Sequence, residues 1–477
     1  MPLSKATRRA ILRWLFLTHR WVGIVTCLFF AMWFASGLVM LFVPYPALSP
    51  AARWQGAAAI DWARVDVAPP LAPGAAGLVL EMRGAEPVWR IEQADGTIRT
   101  RAARRAAILA PVDEQLARQA AVAFAGTPVR SAERLMRDQW TVAGGFDRHR
   151  PLWKVSLADA AGTVLYVSSA TGLPVQRTTA SQRMWNWLGS VPHWLYPTIL
   201  RQDQPLWRQV VLWVAGPGIA VALTGLWIGI LRARFGQRRY RAGRISPYHG
   251  WMLWHHVSGL VGGLFLLSWI VSGWLSVDPG RLFAGTTTAP AALARYRALT
   301  MAPGLTLARL AAAAPQARTV EIIGSAGQMR VVIDRASDRA RILEAATLAA
   351  PHGGDRMWGH ATAALVPDGR LWQVDRLGER DAYWPATATL PVLRQRFDDP
   401  ARTWLYVDPA TGEVLARQDR ARRLYRWVFD LLHCWDWPWL LERRVLHDGM
   451  ILILSAFGLI LSVTGIRLGY RRVMKRA

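Results

Sequence analysis

Residues 19–37 and 255–273 write the same apolar segment twice. His19, Gly23, Trp33, Ser36 and Gly37 recur without a gap as His255, Gly259, Trp269, Ser272 and Gly273. The correspondence continues at a shift of 240: Leu165-Tyr166-Val167 returns as Leu405-Tyr406-Val407, Ala170-Thr171-Gly172 as Ala410-Thr411-Gly412, and Thr224-Gly225 as Thr464-Gly465. Trp187 maps onto Trp427, His193 onto His433 and Pro151 onto Pro391. A period of half the chain is far too long for a solenoid. It describes two homologous halves related by a rotation.

Four stretches, near 21–43, 207–231, 257–277 and 449–466, are apolar and reach or approach the roughly 20 residues that cross a bilayer. Each half thus contributes two spans separated by a long polar segment. Sixteen Lys and Arg, and no Asp or Glu, fall in 1–20, 232–256 and 467–477, so the positive-inside rule makes these stretches cytoplasmic and puts both long segments outside. The expected order is a cytoplasmic N-terminus and first span in 1–43, an outer module and interfacial segment in 44–205, and the second span in 206–231. A basic cytoplasmic loop in 232–250 and the third span in 251–278 follow, then a second outer module and interfacial segment in 279–445, the fourth span in 446–470 and a cytoplasmic tail in 471–477. Both halves then share one orientation, so their pseudo-twofold axis runs along the membrane normal. The near copy of the first span in mid-chain, where no signal can act, reads it as a retained helix rather than a cleaved signal peptide.

The net charge of +26 is explained without nucleic acid. Sixteen of the 58 cations belong to topology, and the remaining 42 stand against 32 acids, a modest excess that hints at an acidic ligand and no more. Cys27 falls inside the first span and Cys434 outside the membrane, which makes a disulfide between them implausible.

In the first outer segment 78–82, 88–92, 152–157 and 163–168 read as strands and 112–125 as a helix; in the second, 319–323, 329–334, 371–374 and 403–407 read as strands. The expected fold class is a membrane α-helical protein, four spans made by tandem duplication of a two-helix unit, with two small outer α+β modules. A Trp-rich stretch precedes each following span, Trp185 to Trp194 and Trp427 to Trp439, as suits a lipid–water boundary.

Histidine in or near a membrane span is a functional candidate by default. His19 and His255 sit near the cytoplasmic ends of equivalent helices, and an axis along the normal brings them face to face. His193 and His433 form a second symmetry-related pair on the outer side. Two facing imidazoles are the ligand set of a bis-histidine haem, and two pairs on opposite sides of the bilayer point to two centres and a route for electrons. Gly23 and Gly259, one turn from the inner histidines, leave room for a flat macrocycle; small residues on one face also serve helix packing, and for Gly37 and Gly273 the two readings weigh equally. His256, next to His255, and His447, which breaks the repeat by standing where the first half has Trp207, stay open as alternative ligands. His249 has no clear counterpart, and His149, His352 and His360 stand isolated and read as solvated. The chain has no Cys-x-x-Cys-His, so any haem is the non-covalent b type. It also lacks a P-loop, a His-Glu-x-x-His and a dinucleotide fingerprint. Electrons would have to come from a partner or from membrane quinol.

Thr18-His19-Arg20-Trp21-Val22-Gly23, Val191-Pro192-His193-Trp194-Leu195-Tyr196, Trp254-His255-His256-Val257-Ser258-Gly259-Leu260 and Tyr406-Val407-Asp408-Pro409-Ala410-Thr411-Gly412 together resemble the PepSY-containing transmembrane proteins, a family often iron-regulated in Gram-negative bacteria. The resemblance covers nearly the whole chain. It implies PepSY modules in the periplasm, an inner-membrane location and the haem-binding set His19, His193, His255 or His256, and His433. Members of that family include siderophore reductases with b-type haem, so it also implies reduction of a periplasmic ferric chelate. His447, where the family pattern has Trp, and Cys434 beside His433 depart from that pattern. Two function classes follow: a dihaem oxidoreductase that passes electrons to a ferric siderophore, drawing them from quinol or a cytoplasmic reductase, and a non-enzymatic membrane protein that binds a protein partner or assists iron uptake.

Overall fold

The computed structural model describes residues 4–71, 74–105, 107–236, 239–352, 355–379, 381–384 and 390–474; of the topology-setting cations, Arg238, Lys475 and Arg476 lie outside these. The chain divides into two compact units, one made of 1–45, 184–284 and 422–477 and the other of 46–183 and 285–421.

The first unit is built on four helices, α1 (Lys5–Phe42), α2 (Gln204–Arg232), α3 (Gly250–Ser276) and α4 (Arg444–Met474), each long and apolar enough to cross a bilayer. α1 begins well before its apolar stretch because Ser4 caps it, its hydroxyl accepting from the Thr7 amide at 3.1 Å. The helices form a ring in which α1 and α3 each pack on both α2 and α4, so the repeat-related helices lie across the diagonals. Between apolar helices association rests on close packing rather than on water exclusion, which favours glycine where a large side chain must enter. The Phe30 ring lies against Gly218 and the Phe34 ring against Gly458. Phe30, Phe34, Ala215, Val221, Leu266 and Ile270 form the shared core.

The second unit is antiparallel sheet. Each half supplies a four-stranded meander: β4 (Val129–Leu135), β5 (Leu152–Leu157), β6 (Val164–Ser168) and β7 (Pro174–Thr178) in one, and β11 (Leu371–Leu377), β12 (Val392–Phe397), β13 (Trp404–Val407) and β14 (Val414–Gln418) in the other. The remaining strands do not stay within their halves. β1 (Ala75–Arg83), β2 (Glu86–Gln93) and β3 (Ile98–Ala102) join β8 (Thr319–Ser325), β9 (Gln328–Ile333) and β10 (Arg341–Glu344) in one six-stranded sheet of order β10-β9-β8-β1-β2-β3. The seam is β1 on β8, with Leu78 opposite Ile322 and Leu80 opposite Val320. Where two separate modules were expected, the two long polar segments are therefore fused through one sheet. β1 is buried along nearly its whole length, and a bare edge of such a strand would invite uncontrolled pairing; β8 covers it. Leu78, Leu80, Trp89, Leu310, Val320 and Ile322 fill the core beside the seam.

The recurring Ala-Thr-Gly turns are held from this sheet by repeat-related arginines. Arg90, buried and paired with Glu81, donates Nη1–H to Thr171 O. Arg330 donates Nε–H to Ala410 O at 3.4 Å. Gly172 and Gly412 adopt φ of +74° and +73°, a region that favours glycine.

His149 departs from expectation, since it is only 8% exposed. It closes the turn Gly144–His149, where its carbonyl accepts from Ser168 Oγ at 3.1 Å and its Nε2 accepts from Arg148 Nε–H at 3.3 Å. Burial first, and then the charges of Arg148, Arg53 and Arg90, lower its pKa to about 4. A buried neutral imidazole stabilises the fold fully above the ordinary histidine value and loses that contribution as pH falls toward the depressed one. Thermal unfolding of the full chain in detergent should show about 2–3 kcal/mol of stability lost between pH 7.5 and 4.5 that is absent in His149→Gln; an equal loss in both proteins would remove His149 as its source. In the helical unit, a methyl at Gly458 would sit 2.1 Å from the Phe34 ring. Gly458→Ala should cost about 1–3 kcal/mol in the same assay, and Phe34→Leu should recover most of it.

Candidate functional site

The helix ring brings the four repeat-matched histidines into two pairs. His19 of α1 and His255 of α3 have ring centroids 6.3 Å apart. His193 and His433 lie on the short helical turns Ser190–His193 and Leu432–Cys434, with centroids 6.1 Å apart. Since His193 meets α1 at Ser36, seventeen residues beyond His19, the pairs sit at opposite ends of the bundle, about 26 Å apart along that helix.

In every ring the same nitrogen is tied down. His19 Nδ1 donates to Val221 O at 3.2 Å, and His193 Nδ1 lies 3.2 Å from Trp33 O and 3.1 Å from Ser36 Oγ. His433 Nδ1 meets Ser272 Oγ at 3.0 Å, and His255 Nδ1 meets Thr464 Oγ1 at 3.1 Å. Each of these two hydroxyls already gives its only proton to a helix carbonyl, Ser272 to Ser268 O at 2.7 Å and Thr464 to Ile460 O at 2.8 Å, so each accepts from the imidazole. All four rings therefore carry the proton on Nδ1 and leave the Nε2 lone pair free of any hydrogen bond among the described residues. A bond at one ring nitrogen is what fixes a histidine's tautomer and leaves the other nitrogen as ligand.

Glycines make the space. A Cβ at Gly37 would lie 3.2 Å from Cε1 of His193, and one at Gly273 3.3 Å from Cε1 of His433. At the His19–His255 pair, a Cβ at Gly225 would lie 2.6 Å from Cε1 of His19, and one at Gly465 3.6 Å from Cε1 of His255. Gly23 and Gly259 instead face Val221 and Leu461 of neighbouring helices at 3.6 and 3.5 Å, ordinary packing distances. Trp33 and Trp269 fix the backbone of the outer pair by donating Nε1–H to His193 O at 3.0 Å and His433 O at 3.1 Å. Ser36, Ser272, Thr464, Gly225 and Gly465 all recur in the repeat, yet a sequence reading gives them no part in the site. Recurrence was the signal for them.

The His193–His433 pair opens on a cavity of about 720 Å³, lined by both imidazoles and by Phe30, Trp33, Phe34, Trp269, Tyr196, Trp207, Tyr425 and His447. That volume lies within the range of cofactor and small-molecule sites. Phe429 stacks on His433 with centroids 5.2 Å apart. Removal from water holds both outer imidazoles at about 4, below the ordinary histidine range, so they are neutral, which is the form that binds a metal.

The two alternative ligands are engaged elsewhere. His256 has Nδ1 on Ser246 Oγ at 2.8 Å and Nε2 on Gly229 O at 2.9 Å. His447 has Nδ1 on Asp448 Oδ1 at 2.8 Å and Nε2 on Cys434 O at 3.0 Å. Both nitrogens of each ring are occupied. His249 lies against Arg244, and His352 and His360 are exposed. Replacing His256 by Gln should lower thermal stability without touching either pair, read as unchanged properties of the His19–His255 and His193–His433 sites; a change at the inner site equal to that of His19→Ala would contradict this assignment. No family model and no curated protein matches the sequence.

Proposed function

We propose that the chain is a dihaem b-type membrane oxidoreductase that delivers electrons to a ferric chelate of the siderophore class outside the cytoplasmic membrane. The observation that carries this reading is the geometry of the two pairs. With a metal–imidazole bond of about 2.0 Å, two rings on opposite sides of one metal have centroids roughly 6 Å apart, which is the separation found at 6.3 and 6.1 Å. Each pair offers two free nitrogens, and among the described residues no third His, Cys, Asp or Glu joins them as a metal group. Such a donor set suits a metal that brings its own equatorial ligands. His19 and His255 would hold one haem, His193 and His433 the other.

Haem bound there would supply one-electron chemistry at a potential set by the imidazoles that hold it and by burial. The chain's own part is to hold four imidazoles in one tautomer and to line the cavity beside His193 and His433 with aromatic side chains; His19 with His255, and His193 with His433, would hold the group and favour electron transfer over binding of a further ligand. Ferrous iron is held by hydroxamate or catecholate oxygens far less tightly than ferric iron, so reduction alone loosens the chelate; no nucleophile or acid–base pair is needed. The charge pattern supports termini on the cytoplasmic side and the sheet unit in the periplasm.

Purified protein should show a Soret band, with pyridine haemochrome analysis approaching two haems per chain, all extractable by acid acetone. His19→Ala should lose one haem and His193→Ala the other; full haem content in both variants would refute the ligand assignment. Dithionite-reduced protein, mixed anaerobically with a ferric siderophore and a ferrous trap, should reoxidise as the ferrous complex appears. If no ferric chelate reoxidises it, the acceptor is another molecule. A colourless protein would leave the partner-binding reading. Reporter fusions in 232–250 should report cytoplasm and a fusion near Arg341 periplasm, and the reverse result at Arg341 would overturn the topology.

A further inference from the structure

The end of the helical unit that bears His19 and His255 has no acid of its own. No Asp or Glu occurs in 1–60, 204–277 or 449–477, which include all of α1, α2 and α3, the loop joining α2 to α3, and α4 beyond its first turns. A cation at this end therefore finds no carboxylate on any of the four helices.

One group of these cations converges. On a wheel of 100° per residue, Lys5, Arg9, Arg13, Phe16 and Arg20 of α1 fall within about 40° of one line. Gly23 continues that line and meets α2 at Val221, 3.6 Å away. Phe16, two turns earlier, meets α2 again, with the Arg232 guanidinium over its ring at 5.2 Å. The stripe thus follows the cleft between α1 and α2. Arg13 and Arg20 stand three and four residues from Phe16, the spacing of neighbours on a helix surface, so three guanidiniums gather round one ring. Orientation in the bilayer needs cations on this side without asking them to converge. The negative end of the α2 dipole accounts for Arg232 and for neither of the others. Like charges brought together repel unless an anion lies among them.

The depth of the cluster indicates which anion. Arg20 directly precedes the apolar stretch of α1 and Arg232 directly follows that of α2, so both mark the edge of the hydrocarbon, and Arg13 lies about 10 Å further along α1, toward water. Exposed aromatics flank them: Trp14 is 69% exposed, Trp21 40% and Phe235 66%, as suits a lipid–water boundary. The second half lacks the arrangement. At the offset that carries His19 onto His255, His249 stands for Arg13, Met252 for Phe16 and His256 for Arg20, and His256 is buried on Ser246 and Gly229. Arg472 of α4 occupies the position of Arg232.

We propose that the α1–α2 cleft at Arg13, Arg20 and Arg232 binds the phosphate of an anionic phospholipid, which lies in the cytoplasmic leaflet on the reading that this end faces inward. Guanidinium groups match phosphate oxygens in geometry and charge, basic clusters at the cytoplasmic ends of spans recognise anionic headgroups, and the acyl chains continue along the apolar stretches beside Arg20 and Arg232.

The test is native mass spectrometry of the delipidated full chain in detergent, titrated with phosphatidylglycerol or with phosphatidylcholine. One phosphatidylglycerol should be held about tenfold more tightly than the next, and phosphatidylcholine should show no such step. Each guanidinium is worth roughly fivefold, so Arg20→Gln Arg232→Gln should weaken the first step by about twenty-five-fold. Arg20→Lys Arg232→Lys should keep most of it, which separates charge from packing. Should the glutamine pair misfold, Arg13→Gln, on an exposed turn of α1, should weaken binding by about fivefold. Arg471→Gln Arg472→Gln removes as much charge from α4 and should leave the first step unchanged. Equal retention of both lipids by the parent overturns the site and leaves the stripe to an acidic protein partner. An equal loss in the α4 pair overturns it as well, by making the effect one of net charge. Displacement of the lipid by glycerol phosphate would make this a site for a soluble phosphate and overturn the lipid assignment. Both ends of the bundle meet lipid in this assay, so its failure is distinct from failure of the topology, which reporter fusions read.

Discussion

One hydrogen bond, repeated four times, organises the helical unit. Each paired imidazole gives its Nδ1 proton to an oxygen on a helix it packs against, and in two cases the acceptor is a hydroxyl whose own proton is spent on the helix behind it. The bond sets ring orientation and tautomer together, so the free Nε2 follows from where the helices lie. It also makes glycine necessary opposite the ring. At Gly225 even a methyl would overlap His19, and the ring could then keep its hydrogen bond only if the helices moved apart. Helix spacing, ring position and tautomer are one constraint.

The duplication is used in the same way in both units: each half completes what the other cannot close alone. In the helical unit neither half owns a pair, because each pair takes one histidine from each half. In the sheet unit β1 would present a buried strand's bare edge without β8. Such exchange of identical elements is usual between two copies of a chain. Here both copies are covalently joined, so the pairing carries no concentration dependence, and the two halves are free to diverge wherever symmetry is not needed.

The parts legible in the sequence were those with a local period or a direct recurrence. The four apolar helices, the strands at 88–92, 152–157 and 319–323, and the two histidine pairs come from patterns that need no knowledge of neighbours. What could not be read was set by contacts between distant segments. β12, Val-Leu-Arg-Gln-Arg-Phe, breaks its apolar face at Gln395, which is buried on the Thr362 hydroxyl, while on the other face Arg394 is held by Asp375 of β11 and by Asp381. The β1–β8 seam joins residues some 240 apart and leaves no local trace. His149 reads as solvated because nothing adjacent in sequence announces the burial of its turn, whose carbonyl Ser168 holds from β6. The choice of His255 over His256 rests on partners at Thr464, Ser246 and Gly229, none of them near in sequence.

The outer cavity is where the two halves differ most. From the first half it is lined by Trp194, Tyr196 and Trp207, which contact one another in sequence, with the Arg201 guanidinium over Tyr196 and Trp207. At the partner positions the second half has Cys434, Asp436 and His447, of which Cys434 and His447 line the cavity. Holding a centre between His193 and His433 asks for no such difference, because the serine, tryptophan and glycine that support each ring are the same in both halves. A polar group in a low-dielectric wall is costly unless its partners are in place, and here they are, in Cys434 O, Asp448, Arg426 and Arg444. The shared features therefore account for holding a ligand. The unshared ones replace an aromatic surface in one half by a hydrogen-bonded set of charged and polar groups in the other, so the symmetry that holds the ligand does not extend to its surroundings.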